Sequence, residues 1–288
     1  MSTSTTVSFA HGALEGDGIV LRIEASVEGA VVVVDATPFH PVDHTWPDQP
    51  GDSGTISVDG SSAVVTEAVM AASSEGGEFA VGSDIPVKRG AEGWTWLVGH
   101  RLDGQAPEWL AQGAAVSLAV DAEKRAGLSR GHTACHLASL ALDLAVADLW
   151  RKDPGVDALG NPDFEGRANQ SSRIHENGAV DEYRLGKSLR KAGFDTETFA
   201  ATLSDRERAI NEQLAAWVAA GSASTIVTQG PTIVDRRSWR CELPEGTAEI
   251  LCGGTHVRSL SEFASITVNL DLSDPQLLVM TTSAVPAG

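Results

Sequence analysis

Up to about residue 120 the chain alternates short apolar, β-branched runs with turn residues. Runs at 19–23, 31–35, 55–58, 63–70, 94–98 and 116–120 are separated by glycine, proline and aspartate, most densely in Pro47-Asp48-Gln49-Pro50-Gly51-Asp52-Ser53-Gly54. No helix-period segment interrupts them, which predicts a β-barrel or sandwich. The pattern changes at Ser129, which suits an N-cap. From 130 to 152, Leu137, Leu140, Leu144 and Ala147 recur at spacings of three and four, the mark of a helix with one apolar face. Arg151 and Lys152 suit its C-terminus, and Pro154-Gly155 its stop.

Residues 153–194 are polar and glycine-rich and read as loop with one or two short strands. Ser204 and Glu207 read as a capping box opening a second helix, with Ile210, Leu214, Trp217 and Val218 on one face and Gly221 as the stop. Strand-like runs return at 225–228, 247–251, 264–270 and 277–282. The expected fold is α+β: an N-terminal β-barrel-like domain over 1–125, then an α+β domain over 126–288.

Composition narrows the function. A hydrophobic content of 42% excludes wholesale disorder. The 39 acidic and 21 basic side chains leave a formal charge of −18, which weighs against broad, non-specific nucleic-acid binding. The longest apolar runs, 30–34 and 114–120, fall far short of the roughly 20 residues of a bilayer-spanning helix, so no membrane partner is expected. Met1-Ser2-Thr3-Ser4-Thr5-Thr6 lacks the basic and apolar regions of a secretory signal, and a cytoplasmic location is expected. Cys135, Cys241 and Cys252 are an odd set that suits a reducing compartment and points to metal or chemistry rather than disulfides.

His132-Thr133-Ala134-Cys135-His136 stands at the start of the first predicted helix, where histidines at i and i+4 project side by side. Cys252-Gly253-Gly254-Thr255-His256 can turn back on its glycines so that thiolate and imidazole point to one spot. Alone, each pair reads as ordinary packing. Together, His132, His136, Cys252 and His256 make a tetrahedral zinc set of three nitrogens and one sulfur, whose long sequence separation does not fit a zinc finger. Cys135, one residue from His136, points round the helix and reads as core.

His132-Thr133-Ala134-Cys135-His136-Leu137 and Cys252-Gly253-Gly254-Thr255-His256-Val257 resemble the two signatures of the editing domains of alanyl-tRNA synthetases and their free-standing relatives, the AlaX trans-editing proteins. Phe39-His40-Pro41 and Gln49-Pro50-Gly51-Asp52-Ser53-Gly54-Thr55 resemble the glycine-rich segment of the same family. The resemblance implies a free-standing hydrolase that removes serine or glycine from mischarged alanine tRNA with one bound zinc ion, and so the tRNA acceptor end as partner. It makes Thr133 a candidate catalytic contact to the substrate hydroxyl, and Gln49 and Asp52 candidates for substrate binding or for bracing their loop. The glycine-free Val42-Asp43-His44-Thr45-Trp46-Pro47-Asp48 stands where the family carries consecutive glycines, so the amino acid removed does not carry over.

Zinc with an exchangeable position activates water and polarises a carbonyl, whereas a cysteine in the fourth position leaves it to orient a ribose hydroxyl; the sequence leaves both open. A phosphate backbone would land on the basic clusters Arg184, Lys187, Arg190, Lys191 and Arg236, Arg237, Arg240, while His175 reads as an exposed loop residue. Two further readings stay open: a zinc-dependent hydrolase of a small ester, amide or carrier-bound amino acid, and a non-catalytic zinc-containing binding module. Oligomeric state is not legible.

Overall fold

The computed structural model describes residues 4–26 and 29–288. Met1 to Thr3, part of the stretch read for a signal segment, lie outside them. The fold is α+β and divides into two compact units. The first holds Met1–Arg125, Thr228–Arg237 and Gly253–Thr255; the second holds Ala126–Val227, Ser238–Cys252 and His256–Gly288. No helix among the described residues is long and apolar enough to cross a membrane.

The strands of the first unit are β1 (Thr6–Val7), β2 (Glu15–Ser26), β3 (Gly29–Val34), β4 (Ala36–Thr37), β5 (Gly54–Val58), β6 (Ser61–Ser74), β7 (Phe79–Val81), β8 (Trp94–Leu102) and β9 (Ala115–Val120). The order β5-β9-β2-β3-β8-β6 closes through antiparallel pairing of β5 with β6, so this sheet is a barrel, with β7 added alongside β6. Closure removes the exposed edges of an open sheet. Val32, Val34, Ile56, Val65, Val98 and Leu118 share one buried core. All of β3 is buried because Val33 faces the other way, into a small cluster with Ala71 and Leu97.

The proline- and glycine-rich segment before β5 lies directly on β6. Asp52 N donates to the His40 carbonyl at 2.9 Å and Ala68 N to the Asp52 carbonyl at 2.7 Å. A Cβ at Gly51 would stand 1.9 Å from the Ala68 carbonyl oxygen, which is why glycine is required there.

The second unit begins within α1 (Ala122–Ala145), followed by α2 (Glu165–Ala168), β10 (Asn169–His175), β11 (Gly178–Arg184), α3 (Lys187–Ala192), α4 (Thr196–Ala201), α5 (Leu203–Ala220), β12 (Ser224–Thr228), β13 (Arg237–Leu243), β14 (Gly246–Leu251), β15 (Phe263–Asp274) and β16 (Leu277–Pro286). One antiparallel sheet runs β10-β11-β16-β15, and a second runs β12-β13-β14. Leu137 and Leu140 of α1, Ile210, Leu214 and Trp217 of α5, and Tyr183, Ile266, Leu278 and Met280 of the larger sheet fill its core.

Several sequence expectations are corrected here. Helix α1 starts at Ala122 rather than after Ser129, because the Asp121 carboxylate accepts from Glu123 N and Lys124 N at 3.1 and 3.0 Å and caps it there. It ends at Ala145, before Arg151 and Lys152, and Leu144 is exposed rather than on the apolar face. Gly131 lies inside α1. A Cβ there would meet the His175 and Gly178 carbonyls at 2.2 and 2.6 Å, so the glycine lets α1 press against the β10–β11 hairpin. That hairpin, α2 and α3 occupy the stretch read mostly as loop. Glu207 makes no capping box: it sits inside α5, and its carboxylate accepts from Leu270 N at 2.8 Å on the edge strand β15. Asn211 bonds Val268 on the same strand, its amide donating to the carbonyl at 3.0 Å and accepting from the N–H at 2.7 Å, so α5 covers the sheet edge.

Arg125 and Asp52 form an ion pair inside the first unit, with side chains 6% and 1% exposed. Arg125 Nε donates to Asp52 at 2.8 Å and Nη2 to the Pro38 carbonyl at 2.9 Å. Removing one partner strands a buried charge, so Arg125→Ala is expected to destabilise the first unit by about 3–5 kcal/mol. Denaturant unfolding checks this, and a loss below about 1 kcal/mol, the range of a surface pair, contradicts it.

Candidate metal centre

His132 and His136 lie one turn apart on α1, and Cys252 and His256 flank the turn that follows β14. All four belong to the second unit. The imidazole centroids are 4.8 Å apart for His132 and His136, 4.3 Å for His132 and His256, and 5.1 Å for His136 and His256. Cys252 Sγ is 3.4 Å from His132 Nε2 and 3.2 Å from His256 Nε2. One donor atom from each residue falls within 4.8 Å of the others. A tetrahedral zinc ion bound at about 2.0–2.1 Å to nitrogen and about 2.3 Å to sulfur spaces its donors by roughly 3.3–3.7 Å. The set could therefore close on one metal ion with small side-chain shifts.

The electrostatics fit such an ion. His136 Nε2 is buried and has no hydrogen-bond partner among the described residues. Burial pushes the ring's pKa down to about 4, so it is neutral at pH 7. A polar atom left in this state costs roughly 1–3 kcal/mol, which metal coordination would relieve. Trp239 stacks on His136, centroids 5.2 Å apart and planes at 28°, and its Nε1 donates to Ser224 Oγ at 2.8 Å.

Thr133 orients the opposite side of the cluster. It is fully buried, and its hydroxyl donates to the Ser129 carbonyl at 2.9 Å. With its one hydrogen so used, Oγ1 accepts from Val257 N and from His256 Nδ1, both at 3.1 Å. This fixes the Nδ1–H tautomer of His256 and leaves its Nε2 lone pair facing Cys252, the arrangement by which an outer hydrogen bond orients a metal-binding imidazole. The hydroxyl expected to meet a substrate is thus fully committed to protein partners.

The other predicted residues are placed as follows. Gln49, in the first unit, clasps Thr255: its Nε2 donates to Thr255 Oγ1 at 2.9 Å, and its Oε1 accepts from Thr255 N at 3.0 Å. Asp52 is 1% exposed and holds Arg125 and the His40 N–H, so it braces its segment. Cys135 is buried beside Ile174 and Ala179, its Sγ 3.4 Å from an Asp181 carboxylate oxygen. Cys241 is buried on β13, where burial pushes its thiol up to about 11. His175 is exposed at the turn of the β10–β11 hairpin, outside the cluster. Arg237 is buried rather than surface charge: it donates to the Thr232 carbonyl at 2.6 Å and lies over the Phe9 ring. In the glycine-free piece Asp43 folds a tight polar turn, accepting from Thr45 N at 2.8 Å and Trp46 N at 3.1 Å, and pairs with Arg89 at 3.2 Å.

Sequence reasoning missed Trp239. The signal was the alternation of Trp239, Cys241 and Leu243 with Arg240 and Glu242, a half-buried strand concealed by its arginines.

If Thr133 orients His256, Thr133→Ala lowers metal affinity about 10–100-fold, and Thr133→Ser restores most of it. Zinc titration against a competing chelator reads this, and equal affinity in all three proteins contradicts the role.

No protein-family model matches the chain. Over 251 residues, 87% of its length, it is 27% identical to alanine–tRNA ligase of Parafrankia sp. (strain EAN1pec), and the match takes in 24% of that protein. The chain spans about a quarter of the length of this relative. The similarity relates the chain to alanyl-tRNA synthetase, and at 87% coverage it takes in parts of both compact units.

Proposed function

We propose that the protein is a trans-editing hydrolase that removes serine or glycine from mischarged alanine tRNA, with a zinc ion held by His132, His136, Cys252 and His256. The observation that carries this reading is the convergence of these four donors within 4.8 Å. It occurs in a chain similar over most of its length to an alanine–tRNA ligase.

The reaction is ester hydrolysis. A water oxygen bonds to the aminoacyl carbonyl carbon, the bond from that carbon to the ribose oxygen breaks, and the ribose oxygen takes a proton. A divalent ion bound at the cluster supplies a Lewis acid for an ester carbonyl or an anchor for a ribose hydroxyl. The chain's own residues organise the centre. Thr133 holds His256 in one tautomer, burial keeps His136 unprotonated, and Trp239 fixes the plane of His136. Gln49 holds Thr255, which precedes His256 in the chain.

One observation favours a second reading, the hydrolysis of a small ester, amide or carrier-bound amino acid: the formal charge of −18 opposes a polyanionic substrate. A deacylation assay on alanine tRNA charged with serine, glycine or alanine separates the two. The editing reading predicts release of serine and glycine roughly tenfold or more faster than alanine, and loss of release in chelator and in Cys252→Ala. Equal rates on all three esters, or none, contradict it.

A further inference from the structure

Five exposed cations gather on the second unit. Arg184 ends β11, and Lys187, Arg190 and Lys191 lie on α3. Lys152 joins them: its Nζ donates to the Lys191 carbonyl at 2.9 Å, and the neighbouring Arg151 N donates to the Gly193 carbonyl at 2.9 Å. Lys152 and Arg190 have local structural work, since Arg190 Nη1 donates to the Leu185 carbonyl at 3.1 Å. Arg184, Lys187 and Lys191 make no side-chain hydrogen bond and no ion pair among the described residues. Elsewhere on the surface several arginines pair with acids, Arg22 with Glu24, Arg208 with Asp205 and Arg240 with Glu242. The exposed Arg173 and Arg236, which make no ion pair among the described residues, are not clustered with further cations on a helix. In a chain with 39 acidic side chains, three such cations within eight residues, at 184, 187 and 191, are a local concentration of positive charge.

We infer that Lys152, Arg184, Lys187, Arg190 and Lys191 form the landing surface for the sugar–phosphate backbone of the tRNA. This rests on the reading of an aminoacyl-tRNA substrate. The composition of the patch selects RNA over an acidic protein. Protein interfaces are anchored by buried aromatic or other large side chains, and none of the exposed large apolar residues lies within 184–191. Phosphate contacts need only charge and reach, and they position a ligand without reading its sequence. A local patch of this kind also reconciles a strongly acidic protein with a polyanionic substrate, because screening confines surface electrostatics to about 8–10 Å at moderate salt.

The test is binding of labelled, uncharged alanine tRNA to the full chain, followed by fluorescence anisotropy across a salt series. The variant is Arg184→Gln/Lys187→Gln/Lys191→Gln. Arg208→Gln, which removes a cation already paired with Asp205, is the control. The three-site variant is expected to bind roughly tenfold or more weakly at low salt, and to lower the slope of log K against log salt by about 2–3. Lys187→Arg/Lys191→Arg retains both, and the control behaves as wild type. Wild-type affinity and slope in the three-site variant, or no tRNA binding by the wild type, overturns the surface. Serine release combined with patch-independent binding overturns the surface and leaves the hydrolytic reading intact. Patch-dependent binding without serine release overturns the hydrolytic reading and leaves the surface standing.

Discussion

A buried imidazole whose Nε2 has no hydrogen-bond partner among the described residues constrains the second unit. His136 pays the cost of desolvation, and nothing among the described residues offers its Nε2 a hydrogen bond. Around it the protein has spent several well-made interactions. Trp239 stacks on the ring and is itself held by Ser224. Thr133 uses its single hydrogen on the Ser129 carbonyl, so that it can only accept from His256. A cluster whose neighbours are satisfied while one donor atom stays open is organised to take a metal ion. The geometry that brings the four residues together depends on α1, which Gly131 allows to press against the β10–β11 hairpin.

Much of this was legible in the sequence, and the failures have physical causes. The barrel strands were readable because β-branched runs alternate with turn residues, although β2, β6 and β8 run several residues past the apolar cores that announce them. The first helix was begun too late because Ser129 resembles an N-cap, whereas it lies inside the helix, and Gly127 and Gly131 there serve close packing against the hairpin. Its true cap, Asp121, stands just after a strand and resembles a turn residue. The β10–β11 hairpin was expected only as one or two unplaced short strands, because its buried positions include Gly178, Ala179 and Asp181, which carry little hydrophobic signal. Contacts assign Thr228–Arg237 and Gly253–Thr255 to the first unit, an arrangement that no single linear boundary expresses.

At the site, the spacing of His132 and His136 and the glycines between Cys252 and His256 were sufficient to name the four converging residues, because helical periodicity and a tight turn are local properties. What surrounds them was not readable. Thr133 looked like a substrate contact, and only the three-dimensional position of Val257 and His256 shows its hydroxyl to be fully used. Arg237 looked like surface charge, and its burial over Phe9 depends on chain segments more than 200 positions apart in sequence. Gln49 clasps Thr255 across a comparable separation.

The account stands on a metal held by three imidazoles and one thiolate. X-ray absorption at the zinc edge of the metal-loaded protein tests this most directly. The account predicts three nitrogen scatterers at about 2.0–2.1 Å and one sulfur at about 2.3 Å. A shell of oxygen and nitrogen without sulfur, or a protein that retains no zinc, would contradict it.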